Sequence, residues 1–222
     1  MVSFFDKSKN LDEKKKIAEL GAAIVEDGMT VGLGSGSTMA YFAEAISKRI
    51  KNEKLTVQFV PASKLIEKKA LEFQLKLVSI DHVEKIDYAF DGADWIIGNE
   101  ILIKGGGGSL FREKKILLNA NNICILADKS KFVESLSECI IPIEVVPFGV
   151  TKTVHAIGEI GGTCFVRKNE DEENFVTDNF NYIVDTKFSS IKNWETIHEQ
   201  LKSTQGIVDT GIFYGMDFNF IN

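Results

Sequence analysis

Apolar positions along the first half of the chain switch repeatedly between two rhythms. Leu11 to Glu26 carries Leu11, Ile17, Leu20 and Ile24 roughly on one face of a helix, and the same period returns over Thr38 to Ile50 through Phe42, Ala45 and Ile46. Met29 to Leu33, Leu55 to Val60, Leu75 to Ile80, Tyr88 to Phe90 and Asn122 to Ala127 are short apolar runs of strand length. Pro61-Ala62-Ser63 opens a further helix through Leu71, and Ser109 to Ala120 is helical after a run of glycines. Strands alternating with helices predict a parallel sheet covered on both faces, an α/β architecture.

The rhythm changes after about Lys131. Cys139 to Val146 reads as a strand, and its Pro142 predicts an edge position. Thr151 to Ile160 is helical and stops at Gly161-Gly162. Thr163 to Arg167 and Tyr182 to Asp185 read as strands joined by an acidic, solvated turn, Lys168 to Asn174. Trp194 to Leu201 is a helix, and Gly206 to Phe213 and Met216 to Ile221 are final strands expected to rejoin the main sheet. The pattern therefore predicts a parallel-sheet domain from residues 1–130 and 206–222, with a smaller α+β domain inserted over 131–205.

Composition narrows the class. A chain of 222 residues, 44% hydrophobic and 26% charged, can bury a full core. The net charge of -6 weighs against nonspecific binding to nucleic acid or a membrane surface, while leaving room for a local basic pocket. No apolar run approaches the roughly 20 residues of a membrane span. The N-terminal stretch lacks an apolar signal core, which with the odd cysteine count points to the cytoplasm. Cys124 and Cys164 lie in apolar runs and read as core thiols. His82, His155 and His198 show no metal-ligand spacing, so no metal site is expected.

Three segments carry candidate chemistry. In VGLGSGST, Val31 to Thr38, glycines let the backbone approach a ligand, and the following amides and helix N-terminus attract an anion. Ser35, Ser37 and Thr38 add hydroxyls, which suits a phosphate monoester; a tight turn with capping hydroxyls is the plainer alternative. The segment departs from the dinucleotide pattern, because Ser37 takes the last glycine position and no acid ends the second strand. Asp91 and Asp94 follow a strand and flank Gly92 and Ala93, so they can hold sugar hydroxyls or trade protons, or merely form a turn and a helix cap. Lys104 precedes Gly105, Gly106, Gly107 and Gly108, a run whose conformational cost calls for close ligand approach or a mobile lid. Glu113 follows in the first turns of a helix, where a glutamate can also simply complement the helix dipole.

Taken in order, GLGSGST, DGAD, KGGGG…LFREK, ILADKSK and VTDNFNYIVD resemble the A-type ribose-5-phosphate isomerase family over nearly the whole chain. The resemblance implies a Rossmann-like domain with a smaller inserted α+β, ferredoxin-like domain. It implies interconversion of D-ribose 5-phosphate and D-ribulose 5-phosphate in the pentose phosphate pathway, without cofactor or metal, by a homodimer or homotetramer. It assigns the phosphate turn to Ser35, Gly36, Ser37 and Thr38, sugar contacts to Asp91, Gly92, Ala93 and Asp94, and the loop to Lys104, Gly105, Gly106 and Gly107. Glu113 corresponds to the proton acceptor, Lys131 to a substrate-binding lysine and Lys14 to a lysine near the phosphate. Trp95 stands where the family usually has an acid, Ala62 where it has a threonine, and the chain after Phe220 is short. Rival readings are a sugar-phosphate sensor, a hexosamine-phosphate deaminase or CoA-transferase-like relative, and a nicotinamide-dependent oxidoreductase.

Overall fold

A computed structural model describes residues 10–189, 191 and 193–222. Residues 1–9, most of the stretch read above for a signal core, lie outside these. The elements run α1 (Leu11–Ala23), β1 (Thr30–Leu33), α2 (Ser37–Glu53), β2 (Gln58–Pro61), α3 (Lys64–Glu72), β3 (Lys76–Leu77), β4 (Ile86–Asp91), β5 (Trp95–Ile97), β6 (Ile101–Ile103) and α4 (Leu110–Leu118). They continue with β7 (Ala120–Leu126), β8 (Phe132–Val133), β9 (Ile141–Val145), α5 (Val150–Glu159), β10 (Gly162–Val166), β11 (Tyr182–Phe188), α6 (Trp194–Ser203), β12 (Ile207–Thr210), β13 (Ile212–Phe213) and β14 (Phe218–Ile221). These form two compact units. The first holds the described residues up to Ala93 with Arg112–Lys131 and Gly215–Asn222; the second holds Asp94–Phe111 and Phe132–Tyr214. The boundaries differ from those read in the sequence because β5 and β6 are too short to show a period.

The first unit is built on one sheet in the order β3-β2-β1-β4-β7-β14, parallel at every pairing. This is the doubly wound order, and its winding reverses between β1 and β4, where such sheets place ligands at the strands' carboxyl ends. β1 is buried along its whole length, as a strand with helices on both faces must be. Val31, Leu33, Phe90 and Leu126 pack with Ile17 and Ala18 of α1 and Phe42 and Ile46 of α2. The Phe42 and Phe90 rings lie 4.6 Å apart, within the range of favourable aromatic pairs. The α1 face differs from the predicted one. Leu11 and Leu20 are exposed, while Lys14, Ile17, Ala18, Gly21 and Ala22 are buried. A Cβ on Gly21 would sit 2.9 Å from Leu126 Cδ2, so the small residues set the packed face by allowing close approach.

In the second unit, β9-α5-β10-β11-α6-β12 forms an antiparallel sheet ordered β10-β11-β9-β12, the split βαβ arrangement of ferredoxin-like folds. Two expectations are corrected here. Pro142 is not at an edge, since β9 lies between β11 and β12; pairing with β12 begins at Ile143, and the Pro142 carbonyl accepts instead from Gly211 N at 2.6 Å. Of the final strands, only β14 returns to the parallel sheet; β12 pairs β9, and β13 joins β6, β5 and β8 in a further sheet of this unit. Ile103, Ile141, Ile143, Val184 and Leu201 lie in the core, with Trp95 packed against them. Glu144 is fully buried among them. Its Oε1 accepts from Thr177 Oγ1 at 3.0 Å, Asn179 Nδ2 at 3.2 Å and Asn181 Nδ2 at 2.9 Å, which fastens the turn before β11.

Candidate active site

Two turns of the first unit meet at the switch point. Past β1 the chain turns sharply: Gly34 N donates to Phe90 O at 2.8 Å, and Ser35 N donates to Asp91 Oδ1 at 3.3 Å. The same oxygen accepts from Gly92 N at 2.8 Å. A Cβ on Gly34 would lie 2.1 Å from the Asp91 carboxyl carbon, so glycine is what admits the acid against the turn. Gly36, at φ 97°, then opens α2, whose first amides receive no side-chain cap from it. Gly36 is exposed and Ser35, Ser37 and Thr38 are half-buried, leaving a helix N-terminus and hydroxyls open to an anion. Ser35 Oγ donates to Ser63 Oγ at 2.8 Å, and Ser63 in turn caps α3 through Ile66 N.

Glu113 lies in the first turn of α4 and is only 5% exposed, far from the solvated surface position usual for a glutamate. Lys14 is equally buried, on the packed face of α1. Lys131 ends the short helix Lys129–Lys131, which Asp128 organises. The Asp128 carboxylate accepts from Ser130 N at 3.0 Å and Asn10 Nδ2 at 3.2 Å, as well as from Ser130 Oγ. Burial alone would raise this carboxyl; the Ser130 and Asn10 hydrogen bonds and the nearby Lys131 charge outweigh it and hold the group below its ordinary value.

The second unit carries the remaining predicted residues. Asp94 Oδ2 accepts from Gly106 N at 2.7 Å, joining the second aspartate to the glycine loop. Lys104 is 3% exposed, with its ammonium 5.8 Å from the centre of the Phe213 ring. Gly105 and Gly108 have φ of 105° and 79°, and a Cβ on Gly108 would come within 2.3 Å of the Phe175 ring. At Gly107 a Cβ would meet nothing within 4 Å. The sequence did not single out Arg167 or Asp185, yet the Arg167 guanidinium reaches the carbonyls of both Gly105 and Gly106 at 3.0 Å. Asp185 closes the VTDNFNYIVD segment, but no local pattern joins it to Arg167 or to the glycine loop, because these residues are distant in sequence.

Among the described residues no three His, Cys, Asp or Glu side chains gather as a metal site, and no helix is long and apolar enough to cross a membrane. His198 is buried against Thr210 Oγ1 at 3.0 Å, and His155 faces Glu159 on the surface. Cys124 is buried and its thiol is pushed up to about 12 by desolvation, which makes it unreactive; burial also raises Cys164.

A doubly wound sheet whose switch point carries a glycine turn, a helix N-terminus and a carboxylate defines an α/β protein of the class that binds small ligands at the carboxyl ends of its strands. The comparisons with known proteins make this specific. Residues 58–221 match the family model of ribose 5-phosphate isomerase A (phosphoriboisomerase A), and the chain belongs to that family. Ribose-5-phosphate isomerase A 1 of Oceanobacillus iheyensis is 40% identical over 203 residues, covering 91% of this chain and 90% of that protein. The solved ribose 5-phosphate isomerase A of Methanocaldococcus jannaschii superposes with a TM-score of 0.89 at 36% identity, covering 94% of each chain. A D-ribose-5-phosphate isomerase solved in complex with phospho-erythronic acid gives 0.88 at 32% identity, over 95% of this chain and 96% of that one. Residues 9–94 also match the C-terminal sensor domain of DeoR.

Proposed function

We propose that this protein interconverts D-ribose 5-phosphate and D-ribulose 5-phosphate through an enediolate. The observation that carries the reading is the Gly34–Ser37 turn packed on Asp91 at the switch point, in a chain of the ribose 5-phosphate isomerase A family. Isomerisation moves one proton between C2 and C1, and a single base on one face of the planar intermediate serves both steps. Glu113 is that base. It is buried in the first turn of α4, away from bulk water. The turn from Ser35 to Thr38 receives the phosphate with Lys14 and Lys131, giving remote binding energy that fixes the sugar. Asp91 and Asp94 hold hydroxyls, and one of them shuttles a proton during ring opening. Lys104 and the amides of Gly105 to Gly107 meet the negative charge that develops on the sugar oxygens. Phospho-erythronic acid, bound by the solved relative, is a carboxylate on a sugar-phosphate backbone and so resembles that charge.

The reaction needs no redox cofactor, and we read the enzyme as metal-free, cytoplasmic and active in the non-oxidative pentose phosphate pathway. It engages neither nucleic acid nor membrane. We also read it as a homodimer or homotetramer: Phe148 and Phe180 are 94% and 74% exposed, as expected of side chains that a second copy covers. Light scattering at the monomer mass would overturn that. The deciding assay follows ribulose 5-phosphate formation from D-ribose 5-phosphate with and without EDTA. Turnover unaffected by EDTA is expected; its loss would overturn the metal-free reading. No turnover by folded protein would favour a sensor, the reading that the DeoR match supports, although that match ends before Lys104 and Glu113.

A further inference from the structure

The glycine loop between β6 and α4 is held from one side by a residue that the mechanism above does not use. Arg167 lies just past β10, with its own backbone fixed: its N–H donates to Ile183 O at 2.8 Å, and its carbonyl accepts from Phe175 N at 2.9 Å. Its side chain is 12% exposed and forms a two-pronged pair with Asp185, 5% exposed, through Nε to Oδ2 at 2.7 Å and Nη2 to Oδ1 at 2.5 Å. A planar guanidinium gripped this way has no freedom to swing, so its remaining donors point in set directions. Nη1 donates to Gly105 O and Gly106 O, each at 3.0 Å. Phe175 lies over the guanidinium at 5.7 Å and closes the same edge of the loop at Gly108.

The consequence follows from peptide planarity. In a trans peptide the carbonyl and the next residue's N–H point opposite ways. The Gly105 carbonyl shares its peptide with Gly106 N–H, and that N–H reaches Asp94 Oδ2 at 2.7 Å. The Gly106 carbonyl shares its peptide with Gly107 N–H, which is therefore aimed away from Arg167; Gly107 itself is exposed. The Gly105 peptide is also held by Gly108 N–H at 2.9 Å and by Asp94, so it is the next peptide, Gly106–Gly107, that rotates easily and whose direction the guanidinium sets. The Arg167 charge is met by Asp185, so what the pair supplies to the loop is orientation of amide dipoles rather than net positive charge.

We propose that Arg167, clamped by Asp185, is a positioning residue for isomerisation: it sets the Gly106–Gly107 peptide so that the Gly107 amide faces the charge developing on the substrate. The inference rests on the isomerase reading. Preset donors act on charge that appears in the transition state, so misaiming them lowers kcat more than it raises KM.

The test compares the full-length chain with Arg167→Met, Arg167→Lys and Asp185→Asn, using steady-state kinetics on D-ribose 5-phosphate and calorimetric affinities for phospho-erythronic acid and for inorganic phosphate. Losing one such donor costs about 10²–10³ in kcat, and a misaimed one is expected to cost roughly 10- to 100-fold, with KM within about threefold. Phospho-erythronic acid should bind roughly tenfold more weakly, because its carboxylate meets the same amide, while inorganic phosphate affinity stays put. Arg167→Lys keeps a cation beside Asp185 but cannot bridge it to two carbonyls, so it should keep the wild-type Tm and still lose kcat. That makes it the informative variant should Arg167→Met fail to fold. Full kcat in folded Arg167→Lys overturns the inference, and so does a parallel loss of Tm, kcat and phosphate affinity, which marks a merely structural role. An inactive unsubstituted chain would overturn the isomerase reading as well, whereas an active one with unaffected variants overturns the positioning role alone.

Discussion

Gly107→Ala separates a glycine kept for chemistry from one kept for folding. A Cβ at this position meets nothing within 4 Å, and the residue is exposed. The methyl group therefore creates no clash in the folded state. Alanine also has less backbone freedom in the unfolded chain than glycine, which favours the folded state by about 0.4–1 kcal/mol. Thermal melting should then show an unchanged or slightly raised Tm. Activity should move the other way. If the Gly107 amide meets the developing charge, a side chain beside it holds the substrate back and weakens that donor. Loss of one preset donor of this kind costs about 2.7–4 kcal/mol, or roughly 10²–10³ in kcat. The assay is ribulose 5-phosphate formation at saturating substrate, on protein whose melting curve matches the unsubstituted chain. A kcat within about twofold of wild type would refute the argument that substrate approaches the backbone here.

Other substitutions test the remaining parts. Glu113→Gln removes the proposed proton acceptor at nearly constant shape, so kcat should fall roughly 10²- to 10⁴-fold with KM little changed; a loss below about tenfold would remove Glu113 from that role. Gly34→Ala places a methyl 2.1 Å from the Asp91 carboxyl carbon, so the acid or the turn must shift. Overpacking of this kind costs about 1–3 kcal/mol, and a lowered Tm with raised KM is expected; an unchanged melting curve would contradict the geometry. The Asp128 carboxyl sits below its ordinary value, so the folded state binds fewer protons there than the unfolded state does. Its stabilisation is present above the unfolded value and is lost as pH falls through the folded one, so the Tm gap between wild type and Asp128→Asn should be widest near neutrality and shrink in acid. A gap that stays constant down to pH ~3 would contradict that linkage.

Much of the first unit was legible because its strands are buried on both faces and its helices are long enough to show a period. That the sheet is parallel and covered on both faces was implied by alternation, though its strand order was not, and the site turns stood at strand ends where doubly wound sheets put ligands. The α1 face was misread because leucines mark a packed face only when the partner surface has room for them; here Ala18, Gly21 and Ala22 bring α1 close to Leu126. The strands β5, β6 and β8 have three residues or fewer, too short for alternation to register. Pro142 was placed at an edge by a rule about missing donors, yet pairing with β12 starts one residue later. The supporting polar contacts were invisible for another reason. Asn10 reaches Asp128 across 118 residues, and Arg167 reaches Gly105 across 62. No local rhythm encodes such pairs, since they are created only by the topology.

The two aspartates share a construction that bears on how they act. Asp91 ends a strand and its Oδ1 accepts two backbone amides, Ser35 N and Gly92 N; Asp94 accepts Gly106 N through Oδ2. Each carboxylate therefore has one oxygen spent on fixing a turn, and the direction of its second oxygen is set by that attachment. A flexible acid on a surface would lose side-chain entropy on gripping a hydroxyl, whereas these have lost it already in folding. An asparagine at either position retains an oxygen able to accept the same amides. Turnover lost in Asp91→Asn or Asp94→Asn, with the fold kept, would thus report the missing charge and proton capacity rather than a displaced turn. Alanine at the same positions removes both, so the difference between the two substitutions isolates what the acid contributes beyond architecture.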